Sequence, residues 1–195
     1  MQRPWIPALV LLVLLVAFRA LGAMFPTELP NFQPLAALFL CSIVFFRGTK
    51  AWALPVAAWL ISNPIASMLQ GYNPFTPGGG TTIAFLALLA TGALALPLRK
   101  IASPAVILAG GLVAAAFFHL VTNYAVWLAD PTYARSGEGL WQALWSGRPT
   151  DALPTWIFFR NLAVANVLFT ALFLLARRSW SPAEKSAPAP LAHTR

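Results

Sequence analysis

Apolar side chains form six long runs, and short segments between them carry most of the charged residues. The runs cover residues 6–25, 32–46, 52–69, 81–98, 105–128 and 155–176. A helix of about 20 apolar residues crosses the hydrocarbon core of a bilayer. The pattern therefore predicts an all-α integral membrane bundle of six transmembrane helices. The second run is the shortest, because about 1.5 Å per residue gives it a length of only about 22 Å.

The composition agrees with a protein embedded in lipid. Of the 195 residues, 59% are hydrophobic and 9% are charged, whereas soluble domains carry about 25% charged residues. This excludes a soluble enzyme and a disordered chain. The net charge of +8 does not indicate a nucleic-acid-binding protein, because the basic residues stand between apolar runs. Cys41 is the single cysteine, which excludes an intramolecular disulfide and a cysteine-built zinc site.

The basic residues also predict the orientation, since lysine and arginine near helix ends mark the cytoplasmic side. They occur at alternate connections, as Arg3, Arg47, Lys50, Arg99, Lys100, Arg177 and Arg178. Both termini are therefore predicted to be cytoplasmic, with the chain in the inner (plasma) membrane. Residues 1–178 are expected to form a single transmembrane domain. Residues 179–195, rich in proline and alanine, are expected to form a disordered cytoplasmic tail.

The first run also resembles a cleavable signal peptide, because Arg3 precedes it and the small residues Gly22 and Ala23 follow its apolar centre. Arg19 argues against cleavage, since it lies where such a peptide should be apolar. The charge pattern of the other five runs is the same in either case. The sequence is therefore compatible both with a retained and with a cleaved first helix.

Polar side chains within the runs concentrate in the predicted outer half. His119, Asn123 and Trp127 follow at intervals of four residues, which places them on one helix face. Because polar groups in hydrocarbon usually face protein or water, we expect a cavity that opens outward. The expected substrate-binding residues are Asn31, Asn63, His119, Asn123, Trp127, Tyr133, Arg160 and Asn161.

Each of these roles has a structural alternative. Arg160 is expected to pair with a carboxylate or phosphate, but it could instead extend to the lipid headgroups. His119 and Asn123 could bind a substrate or join two helices by hydrogen bonds. Trp127 could stack on a planar ring or anchor the helix at the interface. No aspartate or glutamate lies within the runs, so acid–base catalysis has little support, and we predict no cofactor and no metal.

Two connections carry further signals. The glycine-rich segment 73–82 leads into the fourth run, where it could hold an anion or serve as a flexible loop. Leucine and tryptophan pairs at intervals of four within residues 133–146 predict a short amphipathic helix along the outer interface. Such a helix could cover a cavity or anchor the loop.

Three segments resemble a bacterial membrane family of uncharacterised function: NFQPLAA at 31–37, FFHLVTNYAVW at 117–127 and FFRN at 158–161. Tyr133 and the Gly139–Leu140 pair also fit that family, and the likeness covers about residues 29–176. The family in turn is similar to the substrate-binding S components of energy-coupling factor vitamin transporters. Relatives tend to carry an acid where this chain has Asn63 and another near Asn166, so a cation or proton role is not implied.

The resemblance implies a membrane protein that captures a small water-soluble micronutrient or vitamin from the outer side for uptake. It also implies a partner, an energising module of two ATPases and a coupling membrane subunit, although some relatives of S components work alone. The alternative function is a membrane scaffold or assembly factor without a small-molecule site, which the many small residues would suit. An intramembrane hydrolase built around His119 is a third, weaker hypothesis, because no activated nucleophile accompanies it.

Overall fold

The computed structural model describes residues 6–69, 71, 79–101 and 103–178. Over these residues the chain is all-helical, and the predicted fold class is confirmed at that level. The helices are α1 (Ile6–Met24), α2 (Leu35–Phe45), α3 (Lys50–Leu69), α4 (Gly79–Leu94), α5 (Pro104–Ala129), α6 (Gly137–Trp141) and α7 (Thr155–Arg178). A 3-10 turn at Leu96–Lys100 follows α4, and a π-helical turn at Gln142–Ser146 follows α6. Arg3, residues 73–78 of the glycine-rich segment and the predicted tail at 179–195 lie outside the described residues.

Four segments are long and apolar enough to cross a membrane: Lys50–Leu69, Gly80–Lys100, Pro104–Ala129 and Thr155–Arg177. The apolar parts of α1 and α2 are shorter, at Leu9–Met24 and Leu35–Phe45. These helices support the prediction that the chain is a membrane protein. The six-span topology and the cytoplasmic termini stay predictions.

The centre of the bundle is α2. Its residues from Leu35 to Val44 are all buried, because it is apolar on every face and packs against α3, α4, α5 and α7. A helix that is hydrophobic all round is stable only when other helices surround it. With 11 residues it is about 16 Å long, roughly half the hydrocarbon thickness. The non-helical segment between α1 and α2 therefore extends along the part of the bundle that α2 does not reach.

Both ends of α2 are held by side chains from other helices. At its start the Oδ1 atom of Asn166, on α7, accepts a hydrogen bond from the backbone N–H of Ala37 at 2.6 Å. At its end the Nε atom of Arg99 donates to the carbonyl oxygen of Ile43 at 2.6 Å. Helix termini leave backbone groups unpaired, and burial makes an unpaired group costly. These two side chains therefore stabilise a short helix that has no cap of its own.

Close packing of α5 on α7 depends on Gly111. A Cβ atom at this position would lie 2.8 Å from the Oγ1 atom of Thr170, which is fully buried and donates to the carbonyl oxygen of Asn166. Because the hydroxyl is already engaged, it cannot move away without losing this bond. Gly111 thus allows α5 to approach α7 closely at Asn166 and Thr170, and Asn166 also contacts the start of α2.

We expect Asn166→Ala to lower the free energy of unfolding by about 1–3 kcal/mol, because the Ala37 N–H loses its acceptor within the core. Thermal unfolding in lipid nanodiscs measures the change. Val164→Ala is the matched control, since Val164 lies on the same helix and is 46% exposed. Equal melting temperatures for the two variants would contradict this role of Asn166.

Candidate functional site

The non-helical segment between α1 and α2 enters the bundle because α7 binds its backbone. The Nδ2 atom of Asn161 donates to the carbonyl oxygen of Pro30 at 3.0 Å, and that of Asn166 donates to the carbonyl oxygen of Gln33 at 3.1 Å. Both asparagines are buried. Irregular backbone within a membrane protein is stable only where protein groups or water satisfy it. These two amides do so on the side of the segment that faces α7.

The same segment carries a chain of polar side chains. The Nη1 atom of Arg19, on α1, donates to Oε1 of Gln33 at 3.0 Å, and Nε2 of Gln33 donates to Oδ1 of Asn31. Asn31 has a φ of 58°, in the left-handed region that asparagine adopts more readily than most residues. This conformation, together with the contact to Gln33, fixes where the Asn31 side chain lies.

Two cavities meet at Asn31 and Phe158, which line both. The smaller, about 310 Å³, lies between α1, α3 and the non-helical segment, and its polar lining residues are Arg19, Asn31, Gln33, Asn63 and Ser67. The larger, about 660 Å³, lies between α4, α5 and the start of α7. Its lining is mostly apolar, with Asn31, Thr122, Asn123, Asp130 and Thr155 as polar members. We call the first the polar cavity and the second the apolar cavity.

Three of the predicted site residues line these cavities. Asn31 lines both, Asn63 lines the polar cavity and Asn123 lines the apolar cavity. The structure therefore brings together side chains from α3, α5 and the segment before α2. The other five predicted residues surround this region but are absent from the lining of the described cavities.

His119 makes hydrogen bonds within the protein. Its Nε2 atom lies 2.9 Å from the carbonyl oxygen of Leu144, and its Nδ1 atom lies 3.1 Å from Nδ2 of Asn123. Since a carbonyl can only accept and the Asn123 amide can donate, these contacts fit the neutral ring with the proton on Nε2. The ring also packs on Phe159, with the ring centres 5.1 Å apart. His119 therefore joins α5 to the π-helical turn, and its role in binding a substrate stays a prediction.

Trp127 and Tyr133 both contact the loop that follows α5. Trp127 donates from Nε1 to the carbonyl oxygen of Ala134 at 2.8 Å, and the Arg135 guanidinium lies over its ring at 5.7 Å. Tyr133 is buried, with the Arg148 guanidinium 5.7 Å from its ring centre. Trp127 thus holds the loop on the end of α5, and Tyr133, within the loop, contacts the segment before α7 through Arg148.

Arg160 and Asn161 lie side by side on α7 but have different surroundings. Arg160 is exposed, stacks over Trp156 at 5.5 Å and donates from Nε to Oδ1 of Asn161 at 3.1 Å. Asn161 is buried and donates to Pro30. Asn161 therefore acts on the cavities indirectly, by positioning the segment that carries Asn31.

Sequence reasoning did not assign four residues that line the polar cavity or its boundary: Arg19, Gln33, Ser67 and Phe158. Arg19 carried a signal, because it is the one charged residue within the apolar part of α1. Gln33 and Phe158 lie in the NFQPLAA and FFRN segments that resemble the family, but neither they nor Ser67 indicated a cavity, since that role depends on how α3 and α7 are rotated toward the non-helical segment.

A charged cluster holds the loop between α6 and α7 beside the apolar cavity. Arg148 binds Asp130 at 3.2 Å and Asp151 at 2.9 Å, and Asp130 also lines the cavity. Hydrogen bonds from Thr132, followed by the nearby Arg148 charge, hold the pKa of Asp130 below its usual range. Hydrogen bonds from Arg148 lower the pKa of Asp151 in the same way. Both carboxylates are therefore ionised at neutral pH.

The loop between α5 and α7 contains a compact helical unit, α6 with its π-helical turn. Ser136 caps α6 by accepting from the N–H of Gly139, and Trp141 and Trp145 stack with their ring centres 5.9 Å apart. These two rings are 59% and 44% exposed, which suits an interface with lipid headgroups. The unit packs on α5 and α7.

Across the part of the chain that the structure describes, no three histidine, cysteine, aspartate or glutamate residues lie close enough to hold a metal ion. The polar groups at the cavities are amides, hydroxyls, the Arg19 guanidinium and the Asp130 carboxylate. Such groups bind solutes by hydrogen bonds and charge pairing.

The fold and these cavities together define a helical membrane protein with a polar, partly enclosed space between its helices. The chain belongs to DUF6580, a family of unknown function, and the match covers residues 1–185. No curated protein and no solved structure matches the chain.

We expect Gly139→Ala to destabilise the loop between α5 and α7 by about 1–3 kcal/mol, because its Cβ atom would collide with the backbone carbonyl of Ala134. That carbonyl also accepts from Trp127. Gly137→Ala is the matched control in the same short helix, since its Cβ atom would meet open space. Limited proteolysis of the loop should distinguish the two variants, and equal cleavage would contradict the assigned packing.

The charged cluster should make the loop sensitive to acid. The pKa values of Asp130 and Asp151 are lower in the folded protein than in the unfolded chain. The two carboxylates therefore stabilise the folded loop fully above the unfolded pKa of about 3.9, and this stabilisation is lost as the pH falls through their folded pKa values. Amide hydrogen exchange at 147–154, corrected for intrinsic rates, should be constant from about pH 7 to 5 and rise below about pH 4.

Arg148→Gln should raise that exchange already at pH 7, because both carboxylates lose their partner. Arg47→Gln, which removes an exposed charge elsewhere, should leave it unchanged. Unaltered protection in Arg148→Gln would show that the cluster does not hold the loop.

Proposed function

We propose that this protein is a membrane substrate-binding protein that captures a small water-soluble micronutrient or vitamin on its outer side for uptake. In this proposal the six apolar helices span the inner membrane with both termini cytoplasmic, as in the S components of energy-coupling factor transporters. The protein performs no chemical reaction on the solute. Its partners are the solute, the lipid bilayer and an energising module of ATPases and a coupling subunit, and it binds no nucleic acid.

The observation that carries this proposal is the meeting of two cavities at Asn31 and Phe158. Their volumes, about 310 and 660 Å³, lie within the range of about 300–1,000 Å³ that is usual for small-molecule sites. Ligand sites in proteins combine an apolar wall with a few placed polar groups, and this pair of cavities has that composition.

Polar side chains between the helices of a membrane bundle distinguish a binding protein from a scaffold. A bundle that served only as a scaffold would gain stability from close packing at this position, since unfilled space loses dispersion contacts. Here Asn63, Asn123 and Asn31 instead line cavities between the helices. A water-soluble solute would use those groups as hydrogen-bond partners, which supports a binding function over a scaffold.

A thermal-shift screen of the purified protein in nanodiscs against water-soluble vitamins tests the proposal, because a ligand that binds the folded state raises its melting temperature. We expect at least one saturable stabilising compound. Asn31→Gly should weaken its binding about tenfold or more while retaining the fold, since glycine adopts the left-handed backbone of Asn31 without strain.

Val164→Ala, which alters an exposed apolar position on α7, is the control and should bind as the wild type does. Native mass spectrometry adds a second measurement. A co-purifying small molecule supports the proposal. A stoichiometric protein partner, with no stabilising compound in the screen, would contradict it and favour the membrane scaffold.

A further inference from the structure

Arg19 is a half-buried cation without a carboxylate partner among the described residues. Arg19 lines the polar cavity, and within the described part of the chain it makes one hydrogen bond, to the neutral amide of Gln33. Its Nε atom is buried and has no acceptor within the described part of the chain. Placing a charge within a membrane bundle is costly unless an opposite charge or several hydrogen bonds compensate it. The free protein therefore has an incomplete site at this position.

Among the residues that the structure describes, the lining of the polar cavity contains hydrogen-bond donors but no acidic side chain. Its other polar lining residues are Asn31, Gln33, Asn63 and Ser67, all neutral. The nearest acidic residue along the chain, Glu28, accepts a hydrogen bond from Thr27 in the exposed loop and is not part of the lining. An anion that entered this cavity would meet a positive charge and amide or hydroxyl donors, without a repelling carboxylate.

The apolar cavity has the opposite character. Ile83, Ala84, Phe118 and Val126 form much of its wall, and it adjoins the polar cavity at Asn31 and Phe158. A molecule that occupies both would place a charged group beside Arg19 and an apolar body between α4 and α5. The two environments thus specify an amphiphilic solute rather than an inorganic ion.

We infer that the polar cavity binds an oxyanionic group, a carboxylate or a phosphate, through Arg19, and that the apolar cavity holds the organic part of the same molecule. This inference rests on the proposed function and specifies the class of its solute. The planar guanidinium suits a carboxylate or phosphate, because its donors match the spacing of two oxygen atoms. A small rotation of the group would give the Nε–H its missing acceptor.

Two matched pairs of probes test the charge requirement: nicotinate with nicotinamide, and 4-phenylbutyrate with its amide. Binding is measured by thermal shift and calorimetry on the full-length protein in phosphatidylcholine nanodiscs. The acid of at least one pair should bind at least tenfold more tightly than its amide. Arg19→Gln should abolish that preference, while Arg47→Gln, which removes an exposed charge elsewhere, should keep it. Arg19→Lys retains the charge and should keep a weaker preference, which provides a folded variant if Arg19→Gln does not fold.

The same oxyanion could come from a lipid headgroup, and nanodiscs of phosphatidylglycerol distinguish that source. If phosphatidylglycerol stabilises the wild type but not Arg19→Gln, and excludes the soluble acids, the oxyanion site stands and the capture of a soluble solute is wrong. If acid and amide bind the wild type equally, the capture function stands and the anion site is overturned. If the wild type and Arg19→Gln bind the acids equally, the anion site is overturned as well. It is also overturned if no probe and neither lipid binds the wild type.

Discussion

The fold depends on how the backbone between α1 and α2 is satisfied. Since α2 has only 11 residues, the chain reaches it through a non-helical segment whose carbonyl groups would otherwise lie unpaired among helices. Two buried asparagines of α7 bind this segment, at Pro30 and at Gln33, and the second also accepts from the first turn of α2. Asn166 is the twelfth residue of the 24-residue α7, so α2 starts near the middle of that helix.

This constraint also explains where the cavities are. A continuous helix in place of the segment would bring a packed apolar face against α1 and α3. The segment instead carries Asn31 and Gln33 inward, and their side chains connect to Arg19 on α1. The polar cavity is therefore a consequence of the short α2, and the apolar cavity continues it on the other side of Phe158. The loop between α5 and α7, held by His119 and by the Arg148 cluster, borders this space at Asp130.

Much of the fold follows from hydropathy, because apolar runs have few alternatives to helices in lipid. All six predicted runs contain a helix, and the short second run became the short α2. The site was harder to predict. The spacing of His119 and Asn123 correctly indicated one helix face, but it could not show that the ring of His119 would bind the carbonyl of Leu144. Arg160 has the chemistry expected of a residue that binds an anion, but it is exposed, whereas Arg19 lines the polar cavity. The difference depends on how each helix is rotated in the bundle, which the sequence does not show.

The central claim is that the polar cavity opens to water on the outer side, and cysteine accessibility tests it directly. Cys41 is the one native cysteine and is fully buried, so it contributes little background. Asn63→Cys places a thiol in the wall of the polar cavity, and Ile61→Cys, two residues away on α3, places one on a face that is 66% exposed and apolar. A membrane-impermeant thiol reagent added outside intact spheroplasts should label Asn63→Cys and leave Ile61→Cys unlabelled. Labelling of Asn63→Cys only from the cytoplasmic side, or from neither side, would contradict the claim.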